Sequence, residues 1–305
     1  MWHYLIQRLQ HLFWVLLAVS LLVFLLIYLS GDPATLLAPL DASPEDVARI
    51  KQLYGLDQPI PVQYVRFLGN ALQGDLGESF RYKQSALGLV LEKLPATLQL
   101  AFFALGLTIV IGIPLGIWAG THARGPVDWL LSVITFVGIS IPSFWLGILL
   151  ILAFSDKLRW LPSSGSGTWR HLLMPAFTLA LYSIGLVSRL IRSTLIDVLQ
   201  QDYVRTARAK GLTERLVLYR HALRNTMIPT ITVLGLQLGG LLGGSVVVES
   251  VFAWPGVGWL MLQGIQTRDL PLVRAVVLVV GIGFVLINLV VDLLYSLLDP
   301  RIRYE

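Results

Sequence analysis

The sequence predicts an all-α polytopic membrane protein with six transmembrane helices, and three observations support this fold class. Mean hydropathy is +0.73, with 55% hydrophobic and 13% charged residues, a balance outside that of soluble proteins. Several apolar runs reach about 20 residues, the length that crosses a bilayer core of about 30 Å. Finally, a polar, arginine-rich segment from Arg189 to Thr226 separates two of these runs, as a structured loop beside a membrane would.

Each apolar run is assigned to one span. The six predicted spans cover residues 10–30, 95–120, 130–154, 173–190, 229–250 and 274–297. The first run, residues 12–29, exceeds the roughly 7–15 apolar residues of a secretory signal peptide, and further spans follow it. We therefore expect an uncleaved first span rather than a signal peptide.

The spans define four regions along the chain. Residues 1–30 form a cytoplasmic tip with the first span, and residues 31–94 form a long outer loop. That loop has a helical pattern at Pro44–Tyr54 and a turn at Gly74–Glu78. A five-helix core over 95–300 contains the polar loop at 189–228, and residues 301–305 form a C-terminal tail.

The distribution of lysine and arginine predicts the orientation in the membrane. With the N-terminus in the cytoplasm, the inner side carries twelve basic residues, eight of them in 189–229, and the short outer loops carry five. The loop 31–94 holds six more, but it is not counted because long loops cross the membrane largely regardless of charge. Cytoplasmic termini and a cytoplasmic 189–229 loop are therefore expected. The formal charge of +5 is explained by this topology and needs no nucleic-acid partner.

Small residues and prolines punctuate the spans. Prolines at 114, 142 and 175 are expected to kink their helices. Glycines at four-residue spacing let helix backbones approach closely, either within one subunit or at a subunit interface or pathway bend. They form a first glycine stripe, Gly112, Gly116 and Gly120, and a second, Gly235, Gly239 and Gly243, with Gly240 and Gly244 beside it.

The sequence contains no motif for several kinds of catalytic or binding chemistry. There is no cysteine, the five histidines are scattered, and no lysine follows a phosphate-binding glycine frame. Ser140 and Ser143 lie in the third predicted span, but no histidine at that depth is available as a base. We expect no catalytic residue, no metal ligand set and no nucleotide site. Uphill transport would then draw on an ion gradient or on a partner.

Ionisable residues at the ends of spans are the candidates for a pathway, because a charge in hydrocarbon is costly. Glu249 and Arg274 lie near the predicted outer boundary and Asp292 near the inner one. Asn288 precedes Asp292 by one helical turn and shares its face. We take Glu249, Asn288 and Asp292 as pathway candidates, with snorkelling or capping as the alternative role. These residues are too few for a proton relay, which makes an ion-coupled transporter the lesser interpretation.

The polar loop is the richest functional candidate. Residues 202–210 favour a helix, and Gly211 follows where a left-handed terminating residue is needed. A second short helix is predicted over 214–225, ending before Pro229. Ala207 and Ala209 would let a partner approach, and Arg205, Arg208 and Lys210 would surround that contact with positive charge. Contact with anionic membrane lipid is the alternative.

This loop resembles the cytoplasmic loop of binding-protein-dependent ABC importer permeases. The general pattern is Glu-Ala-Ala, three residues, then Gly; here Arg205-Thr206-Ala207 precedes Gly211, and the glutamate is absent. The peptide-transporter branch has the form Asp-Tyr-x-Arg-Thr-Ala-Arg-Ala-Lys-Gly, which residues 202–211 match. Further segments resemble the dipeptide, oligopeptide and nickel permeases, which include glutathione importers: 31–34, 55–59, 74–77, 94–98, 221–225, 228–229, 254–258, 268–271, 288–292 and 299–303.

The resemblance implies a type I ABC importer permease in the bacterial cytoplasmic membrane. It implies a heterodimer with a second homologous permease, two cytoplasmic ATPases that bind ATP and Mg²⁺, and an extracytoplasmic solute-binding protein facing loop 31–94. No cofactor would be bound by this chain. The ATPase-coupling residues would be Tyr203, Arg205, Thr206, Ala207, Arg208, Ala209, Lys210, Gly211 and Leu212.

The implied substrate is a dipeptide, an oligopeptide or a similar small solute such as glutathione. A nickel or metal-chelate importer of the same family is the first alternative. An ion-coupled secondary transporter and a receptor or scaffold without transport are more distant ones. The spans contain no charged cluster that would select among the possible solutes, and in such importers the binding protein sets most of the selectivity.

Overall fold

A computed structural model describes residues 2–29, 34–35 and 42–298, with most of their side chains. Within these ranges the regular structure is helical, and the one extended pairing is an isolated bridge between Glu78 and Ser85. The predicted all-α class is confirmed. The helices are α1 (Trp2–Leu29), α2 (Pro44–Tyr54), α3 (Ile60–Leu72), α4 (Ala86–Leu107), α5 (Ile113–Thr121), α6 (Pro126–Ser140), α7 (Ser143–Leu150), α8 (Trp169–Leu199), α9 (Asp202–Ala209), α10 (Glu214–Leu216), α11 (Leu223–Val251), α12 (Val257–Gln266) and α13 (Leu270–Leu298).

Three wider π-helical turns interrupt this series. They cover Thr108–Gly112, Ile151–Lys157 and Val217–Ala222, so α4 continues into α5 and α10 continues into α11. By contact, the chain divides into two compact units. The first comprises Met1–Pro95 with Gly256–Val285, and the second Ala96–Pro255 with Leu286–Glu305.

In the first unit, the predicted helix at Pro44–Tyr54 is confirmed as α2. Ser43 caps its N-terminus by accepting the Asp46 N–H, and the Asp46 carboxylate accepts the Ser43 N–H and O–H in return. These hydrogen bonds from Ser43 hold the pKa of Asp46 below its ordinary value. Helix α3, which we did not predict, follows after five residues.

The second predicted span begins earlier than expected. Helix α4 starts at Ala86, nine residues before the predicted boundary at 95, and Pro95 lies inside it. Ala86, Leu89 and Val90 have helical spacing and are buried in an apolar cluster with Leu260 and Leu272. Because these residues gain burial only as one helical face, the helix begins on the N-terminal side of the proline.

A buried carboxylate organises the loop before α4. Asp269 is fully buried and accepts hydrogen bonds from the Ser79 hydroxyl, the Arg81 N–H and the Leu272 N–H. These bonds tie the turn around residues 79–81 to the start of α13. No local pattern predicts this role for Asp269, because Ser79 and Arg81 are almost two hundred positions away from it.

In the second unit, α8 is the central helix. Its buried face packs against α5, α6 and α11, and the main apolar cluster includes Ala176, Ala180 and Ile184. The first glycine stripe faces it closely: the Ser188 hydroxyl donates to the Gly112 carbonyl at 2.9 Å. This stripe therefore packs within the chain, which is one of the two roles expected for it.

Among the described residues, four helices are long and apolar enough to cross a membrane. They cover Ala86–Thr121, Trp169–Leu199, Glu214–Gly243 and Leu270–Val291, and α1 contributes a shorter apolar stretch, Phe13–Leu25. The predicted span over 130–154 is not one straight helix. Asp128–Ser140 and Ser143–Lys157 are bent against each other by 103°. Pro142 lies at the break, so its predicted effect is confirmed and is larger than a kink.

The predicted short helix over 214–225 is also corrected. Residues from Glu214 onward run through the Val217–Ala222 turn directly into α11, and Pro229 lies inside that helix. Pro175 likewise lies inside α8. A proline removes one backbone hydrogen bond, but neighbouring helices can compensate for it in a membrane protein. Proline alone therefore does not mark a helix end here.

Candidate coupling loop and membrane cavity

Helix α9 and the glycine after it have the predicted geometry. The helix covers Asp202–Ala209, and Gly211 has φ of 76°, in the left-handed region. The Gly211 N–H donates to the Arg208 carbonyl at 2.9 Å, which closes the helix end. After Gly211 the chain reverses direction and enters α10. Helix α9 and the helical segment that begins at Glu214 therefore lie close together.

The inner face of α9 is an apolar seat, formed by Val204, Ala207 and Val217 with Leu199 and Leu212 packed against them. Val204 and Val217 are fully buried. Leu199 is the last residue of α8, and Val217 begins the turn that leads into α11. A displacement of α9 therefore bears directly on both membrane helices.

The burial of Ala207 corrects one part of the sequence interpretation. Ala207 is 5% exposed and belongs to the apolar seat, so it is not on the surface that a partner would approach. Ala209 is exposed. The order of small and charged residues in α9 does not show which side of the helix is covered. The covering residue, Val217, lies beyond the glycine turn.

The outer face of α9 is polar and cationic. Arg208 donates to both carboxylate oxygens of Glu214, at 2.8 and 3.3 Å, and thereby links α9 to α10. Arg205 lies 3.8 Å from Asp202, and both side chains are largely exposed. Such exposed pairs contribute only about 0–1 kcal/mol to stability. The exposed set comprises Tyr203, Arg205, Thr206, Arg208, Ala209, Lys210 and Gly211, while Leu212 is half-buried.

Two contacts of the loop were missed by sequence reasoning. The Asn225 side-chain amide donates to the Tyr203 hydroxyl at 2.7 Å, which joins α9 to the first turn of α11. Glu214 forms the pair with Arg208. The opposite charges of Arg208 and Glu214 on either side of a glycine turn are a usable signal, whereas nothing in the sequence pairs residues 203 and 225.

Of the three pathway candidates, the structure describes the side chains of Glu249 and Asn288. Glu249 is fully buried and accepts a hydrogen bond from the Thr97 hydroxyl at 2.8 Å, so it does not snorkel to the surface. The Asn288 side-chain oxygen is buried without a hydrogen-bond partner among the described residues. The side chain of Asp292 lies outside the described part of the structure. Arg274, the other charged residue, has its guanidinium 5.5 Å from the centre of the Phe67 ring.

A cavity of about 350 Å³ lies within the second unit, at the helix break. The Ile141–Ser143 break, the middle of α8 and the middle of α11 line it. Gln237 of α11 donates to the Ser183 hydroxyl of α8 at 3.2 Å beside this space. The lining residues are Gly138, Ile141, Ser143, Leu146, Thr178, Leu179, Leu181, Tyr182, Ser183, Gln237, Gly240 and Leu241. Gln237 is a lone polar residue between glycines, and no sequence motif marks it.

With this geometry in place, the chain can be compared with known proteins. Residues 112–304 match the family "Binding-protein-dependent transport system inner membrane component", and residues 1–101 match the N-terminal region of such membrane components. The chain belongs to this family. The predicted resemblance to ABC importer permeases is thereby confirmed, and so is a multi-pass protein of the inner membrane.

Curated relatives of this permease family member cover its full length. It is 42% identical over 306 residues to the glutathione transport system permease protein GsiC of Pectobacterium atrosepticum, with 100% of both chains aligned. The protein of the same name from Escherichia coli matches equally, at 42% identity and full coverage. Both relatives are permeases by name.

Solved structures of ABC transporters share the permease fold. The methionine transporter MetNI, in an inward-facing crystal form, superposes with a TM-score of 0.58 at 19% identity, covering 69% of this chain and 96% of that one. An amino acid ABC transporter crystallised with histidines gives a TM-score of 0.50 at 19% identity, covering 70% and 94%. At this identity the likeness concerns the fold alone.

Proposed function

We propose that this permease carries glutathione or another short peptide across the cytoplasmic membrane, driven by ATP that partner subunits hydrolyse. The full-length relatives are named for glutathione transport, which supports the peptide-like substrate. The observation that carries the mechanism is the position of α9, whose inner face packs on Leu199 and Val217 at the ends of two membrane helices.

Coupling follows from this packing. The outer face of α9, with Tyr203, Arg205 and Lys210 exposed, is available to a cytoplasmic ATPase. Closure of the ATPase pair would push α9, and the apolar seat would pass the movement to α8 and α11. ATP supplies the free-energy difference between the two membrane states. Thr206, Arg208, Ala209, Gly211 and Leu212 complete this coupling segment, with Ala207 serving as an internal packing residue.

The arrangement in the membrane is the second part of the proposal. We take six spans of the type I permease arrangement, with α1 as the first and the bent α6–α7 pair as the third. Both termini and the 189–228 loop are cytoplasmic, as the basic residues suggest. Loop 31–94 faces the solute-binding protein, and a second homologous permease completes a heterodimer.

The pathway candidates receive different roles. Glu249 accepts from Thr97 and joins the outer part of α11 to α4, which supports a positioning role. Asn288 keeps a buried side-chain oxygen without a described partner, which makes it the stronger candidate for contact with a moving solute. Asp292 remains a candidate from its sequence position alone.

The test uses the complete importer, purified from its native membrane through this chain. We expect a second permease and one or two ATPases to co-purify, and ATP-dependent uptake of S-methylglutathione into proteoliposomes. Arg205→Glu should reduce both ATPase co-purification and uptake, whereas Arg170→Glu, an equal charge change in the first turn of α8, should leave both unchanged. A homomeric product that transports without ATP would refute the proposal.

A further inference from the structure

The cavity at the helix break has walls of an unusual composition for a transporter of charged solutes. Within the described residues, none of its lining side chains is an Asp, Glu, Lys, Arg or His. The walls contribute hydroxyl and amide groups among apolar side chains. With a volume of about 350 Å³, the cavity lies at the small end of the range for ligand pockets, roughly 300–1,000 Å³.

Two polar groups of the wall already have a hydrogen-bond partner. The Thr178 hydroxyl donates to the Met174 carbonyl one turn earlier, at 2.8 Å, and is buried. The Ser183 hydroxyl, also buried, accepts the Gln237 amide. These bonds use the donor of Thr178 and one acceptor position of Ser183.

Three other polar groups keep free capacity. The Tyr182 side chain is 51% exposed, and its hydroxyl forms no hydrogen bond with any described residue. The Gln237 side-chain oxygen receives no donor from the described chain, and Gly240 beside it adds no side chain to cover it. The Ser143 hydroxyl is likewise without a partner in the described ranges.

The backbone points to the same place. Non-helical backbone at membrane depth is tolerated only where protein covers it or water fills a cavity beside it. The 103° break at residues 141–142 leaves the last carbonyls of α6 and the first N–H groups of α7 without helical partners. Interrupted helices of this kind commonly form the solute sites of transporters.

We propose that Tyr182, Gln237 and Ser143 form a solute-contact site inside the membrane that takes the uncharged amide groups of a peptide-like solute. A carboxamide and two hydroxyls can donate to and accept from a peptide bond in any orientation. Because no ionised group lines the site, the ends of the solute are not held by charge, so it binds weakly enough to leave again. This site rests on the proposed function and names where the solute passes this chain.

The first test labels the cavity directly, because this chain has no cysteine. Gly240→Cys introduces one thiol at the wall, where an added Cβ would lie 3.9 Å from the Gln237 oxygen and near no other group. In the complete importer, a water-soluble maleimide should label it, with the site identified by mass spectrometry. S-methylglutathione or trialanine at about twice its dissociation constant should slow labelling about threefold during turnover. Gly243→Cys, exposed but outside the cavity, is the control and should not be protected.

The second test separates solute contact from packing. Tyr182→Phe and Gln237→Leu should each raise the KM for trialanine uptake about three- to tenfold, the effect of one lost neutral hydrogen bond. Thr178→Val, at the same wall with its hydroxyl used internally, should change the KM less than about twofold. In Tyr182→Phe and Gln237→Leu, the preference for trialanine over its N-methylated form should shrink.

The outcomes distinguish the site from the function. Absence of ATP-driven uptake by the assembled wild-type importer would refute the proposed function and the site with it. Normal uptake without protection of Gly240→Cys would refute the site alone. Labelling of Gly240→Cys only by a lipid-soluble reagent would show that the space holds lipid, which also refutes the site. Equal KM values for Tyr182→Phe and Thr178→Val would show that the hydroxyl makes no solute contact.

Discussion

The two glycine stripes have the same spacing and different surroundings. In the first stripe, a Cβ atom at Gly116 would lie 2.7 Å from Ile191 Cβ and 2.8 Å from the Ser188 carbonyl oxygen, so α5 and α8 touch through their backbones. In the second, an added Cβ at Gly243 would meet nothing within 4 Å. The first stripe therefore closes a helix pair, whereas the second leaves an open face at Gly240 and Gly243 and is tight only further along the helix.

The difference between the two stripes suggests different functions for the helices that carry them. The close contact of α5 with α8 makes these helices a rigid pair, since neither backbone can shift without opening a void. The open face of α11 carries Gly240, which lines the cavity, and is free to meet a solute or the second permease. Small-residue spacing predicts that something approaches closely, and the partner must be read from the structure.

The largest effect is expected from adding a side chain within the first stripe, where the two helices touch. Gly116→Val would drive its side chain against a main-chain carbonyl that cannot withdraw, and we expect a loss of about 3 kcal/mol or more. Thermal unfolding of the purified importer measures it. The matched control is Gly243→Val, and an equal loss in both variants would contradict the comparison.

The same contrast holds for two alanines of α9. Ala207→Trp places an indole in the apolar seat, and we expect overpacking of about 2–3 kcal/mol with loss of ATPase co-purification. Ala209→Trp, on the exposed face, should leave the fold of the loop intact. Protease sensitivity of the loop distinguishes the two, and an undisturbed, ATPase-bound Ala207→Trp importer would show that the seat is not needed.

A third kind of glycine is needed for its backbone conformation and not because a neighbour leaves no room for a side chain. Gly211 has φ of 76° with nothing within 4 Å of an added Cβ, so Gly211→Val costs about 1–2 kcal/mol of local strain. We expect a distorted turn, lost uptake and ATPase activity that solute no longer stimulates. Gly211→Asn, which tolerates this conformation better, should be milder. Normal uptake with normal stimulation in Gly211→Val would refute the role of the turn.

A smaller effect is expected where the obstacle is a side chain. An added Cβ at Gly235 would collide with the methyl groups of Val291 on α13. Gly235→Ala should therefore cost about 1 kcal/mol, and Val291→Ala should restore part of it in the double variant. Additive losses in a double-mutant cycle would show that the two residues do not constrain each other.

The smallest effect is expected at the open end of the second stripe. Gly243→Ala should be neutral or slightly stabilising, by up to about 1 kcal/mol, because alanine favours the helix. Its interest lies in the assembled importer. A loss of the second permease on purification would show that this face is covered by the partner, and an unchanged complex would leave it facing lipid or the pathway.

Much of the fold and of the coupling loop follows from local patterns. Helix α9, the left-handed Gly211 and helix α2 depend on residues close together in the chain, and all three were predicted. Pro142 and Pro229 show the limit of this approach. One breaks its helix by 103° and the other lies within a continuous one. The residue is the same, and the difference comes from what packs around it.

By itself, the sequence determined the all-α membrane class, the presence of several apolar helices, the cationic loop and the family. These depend on composition, on hydrophobic length and on motifs that are local in the chain. Only the tertiary structure decided that Ala207 is buried, that Asp269 and Glu249 are held inside, and that Tyr182 and Gln237 share a cavity. Each of these facts joins residues from distant elements, and burial or hydrogen bonding is a property of the assembled neighbours, which no local pattern specifies.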